Sequence, residues 1–354
     1  MNKLTTNEIV KISKIIWKAL GLKEMTINIG GLEPTIWKDY PNLTILDLIK
    51  ILKISGFRVE MTTNGSNLIE YSRYLKDAGL SKLRISVHHF DKYLYYKITG
   101  KDNLNYVKKV IDNCIDSGLD LSINRVLLKG YTDDIPRLIK YTSERNITLK
   151  LYDLCWLPRI SPQWKKYYLH WNEIVKSLVY PITKRMEKID NKYHRIRNKF
   201  YLNRGGAIEV KEFHDSMHEN FEICKNCYYK DKCKETFGSY IYIYPSKNVI
   251  FCNLREDLNI NLNNLIREDL SMESTSNFIK ESFEKLMGRN WINRIQFGKI
   301  VFYINDICNY NCTFPGESFK YENLWCLSCL RNFEITPANL LTDSFNKIKL
   351  IHYN

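Results

Sequence analysis

Residues 299–329 read KIVFYINDICNYNCTFPGESFKYENLWCLSC, and the rest of the chain can be read outward from them. Ile300 to Ile304 is a β-branched and aromatic run that stops at Asn305-Asp306, the pattern of a short strand running into a loop. That loop carries Cys308, Cys312, Cys326 and Cys329, four thiols within 22 residues. Thiolates at this spacing can wrap one iron–sulfur cluster or one zinc ion, and the strand before them fixes where the metal sits.

A second group lies upstream in FEICKNCYYKDKCKETFGSYIYIYPSKNVIFCNL, where Cys224, Cys227 and Cys233 share a loop. Strands expected over Ser239–Tyr244 and Asn248–Phe251, joined by the turn Pro245-Ser246-Lys247, bring Cys252 back beside them. That geometry suits a closed four-thiolate site, again an iron–sulfur cluster or a structural zinc. Cys114, on a helix, and Cys155, at a strand end, read as packing residues.

At 354 residues and 44% hydrophobic, the chain can bury a large core and should form one big domain with a smaller one. Its 53 Lys+Arg against 39 Asp+Glu give +14, but the lysines are scattered rather than gathered in a tract. A lysine-rich composition accounts for this first and anionic ligands second; nucleic acid is not an expected partner. The opening MNKLTTNEIVKISKI has polar residues where a signal peptide needs an apolar core, and no apolar run approaches the ~20 residues of a membrane span. A soluble, cytoplasmic protein without a membrane partner is expected. There, ten reduced cysteines argue for metal ligation rather than disulfides.

The first 155 residues alternate. Thr5 or Thr6 can cap a helix ending near Gly21, followed by a strand over Met25–Ile29 closed by Gly30-Gly31. Helices around Leu43–Ser55, Leu68–Ala78, Leu104–Ser117 and Ile135–Arg145 separate strands over Arg58–Thr62, Leu83–Val87, Leu119–Leu128 and Ile147–Tyr152. Such alternation implies right-handed βαβ units and a parallel sheet or barrel. Five strands are visible before residue 155, and Ile300–Ile304 is the candidate for a missing sixth. From Trp156 to Tyr201 the pattern reads as helical and basic, without strands.

IGGLEPTIWKDYPNL, VEMTTNG, LRISVHHFDKYLYYKITGKDNL and INRVLLKGYTDDIPRLIKY resemble, in sequence and order, the radical S-adenosylmethionine (SAM) enzymes, particularly the branch containing the molybdenum-cofactor GTP cyclase. Residues 220–265 are similar in layout to that branch's auxiliary-cluster region and to the SPASM and Twitch domains. The family's CxxxCxxC loop normally follows the first barrel strand; here IVFYINDICNYNC, at the other end, is similar to it. The resemblance therefore implies an α/β fold, a partial (β/α)6 TIM-like barrel, circularly permuted, with a small iron–sulfur auxiliary domain. Its segments would be 1–155 (barrel strands 2–6), 156–290 (helical segment and auxiliary cluster) and 291–354 (permuted first strand and catalytic cluster loop).

By the same resemblance, Cys308, Cys312 and Cys326 would bind a [4Fe-4S] cluster whose fourth iron is chelated by SAM. Pro315 stands where the third cysteine usually follows, so Cys329 competes with Cys326. A reduced cluster would cleave SAM to methionine and a 5′-deoxyadenosyl radical acting on a small anionic molecule or a peptide. Gly30 and Gly31 allow close backbone approach to the ligand, and Glu33, in Gly31-Leu32-Glu33-Pro34, would accept from the SAM amino group. Asn64 and Ser86 would meet the ribose, while Asn124 and Arg125 would face the nucleoside and carboxylate, all at carboxyl ends of strands. A second [4Fe-4S] cluster is expected at Cys224, Cys227, Cys233 and Cys252, and a flavodoxin- or ferredoxin-like electron donor as partner. Arg195, Arg197 and Arg204 favour an anionic substrate. The competing reading is a non-catalytic zinc- or cluster-binding protein on a degenerate or fragmentary barrel.

Overall fold

A computed structural model describes residues 3–157, 160–190, 196–212, 222–233, 240–252, 254–255, 257–263, 271–287, 299–305 and 310. The first helix, α1 (Thr6–Leu20), begins where Thr5 Oγ1 accepts the Glu8 amide and the Glu8 carboxylate accepts the Thr5 amide. These two bonds satisfy two of the helix's otherwise unpaired amides. Its apolar face, Ile9, Ile12 and Ile16, is buried, and the left-handed Gly21 ends it. Strands β1 (Thr26–Gly30), β2 (Arg58–Thr63), β3 (Leu80–Ser86), β4 (Leu121–Val126) and β5 (Thr148–Tyr152) follow. They alternate with α2 (Ile45–Ile54), then α3 (Lys92–Thr99) and α4 (Leu104–Asp116), then α5 (Ile135–Glu144).

The chain continues through α6 (Ser161–Tyr167), the single turn α7 (Trp171–Ile174), β6 (Thr183–Asp190), β7 (Ile196–Leu202) and β8 (Ala207–Glu212). Next come α8 (Glu222–Lys225), β9 (Ile241–Ile243), β10 (Asn248–Ile250), β11 (Asn259–Asn261), α9 (Met272–Met287) and β12 (Lys299–Tyr303). All twelve described strands form one sheet in the order β11-β10-β9-β12-β1-β2-β3-β4-β5-β8-β7-β6. From β9 across to β8 every neighbouring pair is parallel; the outer pairs on both flanks are antiparallel. The central run β12-β1-β2-β3-β4-β5 makes this an α/β fold with a partial (β/α)6 barrel.

The strand expected at the far end of the sequence takes the place argued for it. β12 lies parallel to β1, with Thr26 opposite Lys299 and Gly30 opposite Tyr303. It also pairs with β9 on its other side, so β1 presents no open edge there. One face of the sheet is apolar: Ile27, Ile29, Val59, Met61, Leu83, Ile85, Ile123, Leu149, Ile208, Ile300 and Phe302 join the main core.

Two elements differ from the sequence reading. Leu68–Ala78 is a succession of turns rather than a helix. Ser72 explains part of this, since its hydroxyl donates to Ile69 O (3.1 Å) and its carbonyl receives Cys114 Sγ (3.9 Å). Both compete with a regular helical ladder. Within 156–201, β6 and β7 form an antiparallel pair that continues through β8 onto β5. The period-two burial of Ile196, Asn198, Phe200 and Leu202 was a legible strand signal. The polar β6 is held by Tyr201, whose hydroxyl donates to Glu187 (2.8 Å) beneath the Arg185 guanidinium. No helix among the described residues is long and apolar enough to cross a membrane.

Candidate active site

The carboxyl ends of β12, β1, β2, β3 and β4 lie side by side, which is where parallel α/β folds gather their ligand-binding loops. Gly31, at φ +115°, ends β1 in a conformation that favours glycine. A Cβ there would sit 3.2 Å from Asn305 O, so the backbone leaving β1 and the backbone leaving β12 are in contact. Asn305 completes that junction by donating from Nδ2 to Glu33 O (3.0 Å). Its Oδ1 is buried without a hydrogen-bond partner among the described residues.

Glu33 is fully buried. Its Oε1 accepts from Thr35 N (3.1 Å), Thr35 Oγ1 (2.5 Å) and Thr63 Oγ1 (2.6 Å), while Oε2 accepts from Asn64 N (2.7 Å). Burial raises its pKa despite these donors. A carboxylate offers about four acceptor positions divided between two oxygens, and Oε2 receives one donor among the described residues, so an incoming ammonium has a place. Asn64 is also turned locally, its Oδ1 accepting from Ser66 N (2.9 Å). Ser86 and Asn124 are register partners on β3 and β4 and therefore share a face. Asn124 Oδ1 is a second buried acceptor without a described partner. Buried acceptors without partners among the described residues, Asn305 Oδ1 and Asn124 Oδ1, fit a ligand with hydroxyl and amino donors.

Arg125 is placed elsewhere. One residue on from Asn124, it belongs to the opposite face, and its Nη2 donates to Tyr131 O (2.8 Å) and to the buried Asp134 (3.0 Å). Asp134 also accepts the Phe90 amide (2.6 Å), and His89 Nε2 lies 3.3 Å from Asp133 and 3.4 Å from Asp134. Because His89 Nδ1 accepts the Asp91 amide, the ring proton sits on Nε2, facing the carboxylates. The HHFD and KGYTDD segments are thus stapled together, and Arg125 belongs to the staple.

The sheet's polar face held residues that sequence reasoning missed. Glu60 accepts from Arg84 Nη2 (2.5 Å) and from Lys299 Nζ, and Arg84 Nη1 donates to Asn28 (3.2 Å). Burial would raise the Glu60 carboxyl, yet Arg84 and Lys299 outweigh it and hold it at about 2. Burial and then the Arg84 charge bring Lys299 down to about 8. Further along, Lys150 pairs with Glu209 at 2.9 Å. Alternation was the available signal: Lys82-Arg84-Ser86, Ser122-Asn124 and Asn28-Gly30 all occupy one parity of otherwise apolar strands. Arg197 and Arg204, expected to favour an anion, are solvent-exposed instead, and Arg195 lies outside the described residues.

Cys308, Cys312, Cys326 and Cys329 also lie outside the described residues. Cys224, Cys227, Cys233 and Cys252 are half-buried. Arg255 links two of them: its amide donates to Cys252 O (3.4 Å), and its guanidinium reaches Cys227 while paired with Asp257 (2.5 Å). Tyr229, in the same loop, packs on Trp156 at 5.5 Å, so the cysteine loop is seated against the segment that follows β5. Cys114 and Cys155 are buried, as packing residues would be.

A parallel α/β sheet with an acceptor-rich site at its carboxyl ends is the architecture of a ligand-binding partial barrel. The Radical SAM superfamily profile matches residues 1–142. A probable GTP 3′,8-cyclase of Pyrococcus horikoshii is 31% identical over 233 residues, 63% of this chain and 69% of that protein. Another, of Sulfurisphaera tokodaii, is 28% identical over 73% of this chain and 75% of its own length. The chain belongs to the radical SAM superfamily, and it is an enzyme of radical SAM chemistry. Membership implies SAM and a [4Fe-4S] cluster as cofactors. Among solved structures, Streptococcus suis SuiB bound to precursor peptide SuiA aligns at 12% identity and TM-score 0.42, over 86% of this chain and 80% of that one. SuiB bound to SAM aligns at TM-score 0.34, and there this chain spans about a third of the solved chain, 34%.

Proposed function

We propose that this enzyme reductively cleaves SAM at a [4Fe-4S] cluster held by Cys308, Cys312 and Cys326, with Cys329 the alternative third ligand. When bound, cluster and SAM together supply a 5′-deoxyadenosyl radical; the chain's own residues bind and orient. The observation that carries the reading is the Asn305 junction. It starts the cysteine loop from the carboxyl end of β12, directly against Gly31 and Glu33. On this reading Glu33 Oε2 takes the SAM amino group, and Ser86 and Asn124 take ribose or nucleoside donors. Gly30 and Gly31 let the ends of β1 and β12 meet closely, since a Cβ at either would touch Tyr303 or Asn305. Arg125 has no direct part in this set and acts by holding the β4–α5 loop. The parallel placing of β12 beside β1 supports a circularly permuted barrel, the first strand being supplied from the far end of the sequence.

The substrate we favour is a small anionic molecule, because Arg84 and Lys299 converge on one carboxylate and leave an uncompensated positive charge on the polar face. A peptide is the second candidate. Cys224, Cys227, Cys233 and Cys252 would hold a second [4Fe-4S] cluster, supported by the Arg255 link between Cys252 and Cys227. A flavodoxin- or ferredoxin-like donor would deliver electrons in a cytoplasmic setting. Anaerobically reconstituted protein should hold about eight irons, four per cluster. The Cys308→Ala/Cys312→Ala variant should keep about four and lose reductive SAM cleavage. Retained cleavage, or stoichiometric zinc without acid-labile sulfide, would overturn the proposal.

A further inference from the structure

Tyr310 stands midway between Cys308 and Cys312 in CNYNC. It is 2% exposed, and its hydroxyl makes two hydrogen bonds, to Tyr95 OH on α3 (2.8 Å) and to Asn103 Oδ1 at the N-terminal cap of α4 (3.1 Å). Its ring meets the Tyr95 ring edge-on, with centroids 6.4 Å apart. Tyr95 itself is fully buried. Both partners belong to YLYYKITGKDN, a segment the site described above leaves without a task. There Thr99 Oγ1 donates to Tyr95 O (2.8 Å) and the left-handed Gly100 closes α3, so that Asn103 follows in a tight, fixed turn.

We infer that Tyr310 is a positioning residue: a buried post, clamped by Tyr95 and Asn103, that anchors the CNYNC run at its midpoint. The inference rests on the reading that Cys308 and Cys312 are cluster ligands. Chain geometry does the rest, because consecutive Cα atoms are about 3.8 Å apart. Both cysteine Cα atoms therefore lie within about 7.6 Å of the Tyr310 Cα. Cys308 is also within about 11.4 Å of Asn305, the other fixed point. Two buried, hydrogen-bonded anchors, Asn305 and Tyr310, therefore flank Cys308 in the sequence. That is how a support makes a metal ligand precise: the supporting group, not the ligand, removes the freedom. The phenol suits the task because its ring fills the apolar space while its hydroxyl both donates and accepts at the tip.

Tyr310→Phe, Tyr95→Phe and Asn103→Ala test this in the full chain. In metal-free protein, backbone amides of residues 305–312 should exchange with deuterium about tenfold faster in Tyr310→Phe, the effect of losing one or two buried hydrogen bonds. Tyr95→Phe, which keeps the ring, should give a smaller increase, and the two changes combined should give less than the product of the separate effects. After reconstitution, Tyr310→Phe should retain the iron content of the parent. Its affinity for SAM, titrated by the electron paramagnetic resonance signal of the reduced cluster, should fall about tenfold. Unchanged exchange in Tyr310→Phe and Asn103→Ala, or exchange that rises equally throughout the chain, would overturn the inference. A parent protein that binds no catalytic cluster while the variants still loosen 305–312 would overturn the cluster assignment and leave the post standing.

Discussion

Arg125 shows how much one side chain's direction decides. A guanidinium on the Asn124 parity would face a ligand; one residue later it lies in a buried pair with Asp134, its Nε and Nη1 without hydrogen-bond partners among the described residues. Removing one partner of such a pair strands a charge, at a cost of about 3–5 kcal/mol. Asp134→Asn should therefore lower the urea midpoint sharply, and the double change Arg125→Met/Asp134→Leu should recover much of that loss. Glu60 makes the matching pH prediction. Its pKa is held at about 2, below the ~4.3 of an unfolded glutamate, so its stabilisation is fully present above about pH 4.3 and is lost as pH falls towards 2. A thermal-melting series between those values should show a slope that Glu60→Gln reduces. The cysteine spacings and the Gly31-Leu32-Glu33 run could be read from composition and order. The roles of Glu60, Arg84 and Lys299 could not, because their convergence depends on strand register between residues 239 positions apart at the widest.

At the level of elements, β12 matters most. Phe302 is fully buried within the main core, and Ile300 packs beside it. Phe302→Ala should cost about 3–5 kcal/mol in equilibrium unfolding, the usual penalty for emptying an aromatic site in a core. Truncation before Lys299 should do something different: with β12 gone, β1 and β9 become open edges, and the protein should associate, as light scattering would show. Alternation of helices and strands through residue 152 was legible because each carries its own period and caps, as Thr5 and Glu8 show for α1. The turns at 69–79 were decided by a tertiary partner, Cys114, whereas the β6–β7 pair carried its signal in the alternation of β7.

Across the whole molecule, the two cysteine groups follow different strands of the chain. One loop starts from β12; the other sits between β8 and β9 and leans on Trp156. If each holds its own cluster, they should be separable. Cys252→Ala in the reconstituted enzyme should lose about four irons, while the signal of a reduced cluster that responds to SAM persists. Simultaneous loss of both signals would show that the auxiliary loop supports the barrel rather than a separate centre. That the β6–β8 and β9–β11 strands extend the barrel sheet could not be foreseen from the segment order, since short antiparallel strands carry little information about which edge they join.

The pairing of β1 with β12 also sets a clock. Thr26 meets Lys299 across about 270 residues of intervening chain, so during synthesis β1 waits for its neighbour. At about 5–20 residues per second the wait is roughly 15–55 s. For that interval β1 to β5 can form every contact among themselves while one edge of an apolar strand stays open on the ribosome. Folding in the cell should thus depend on translation speed and on chaperones that shield that edge, and slowing elongation within residues 160–298 should raise the fraction captured by them or lost to aggregation.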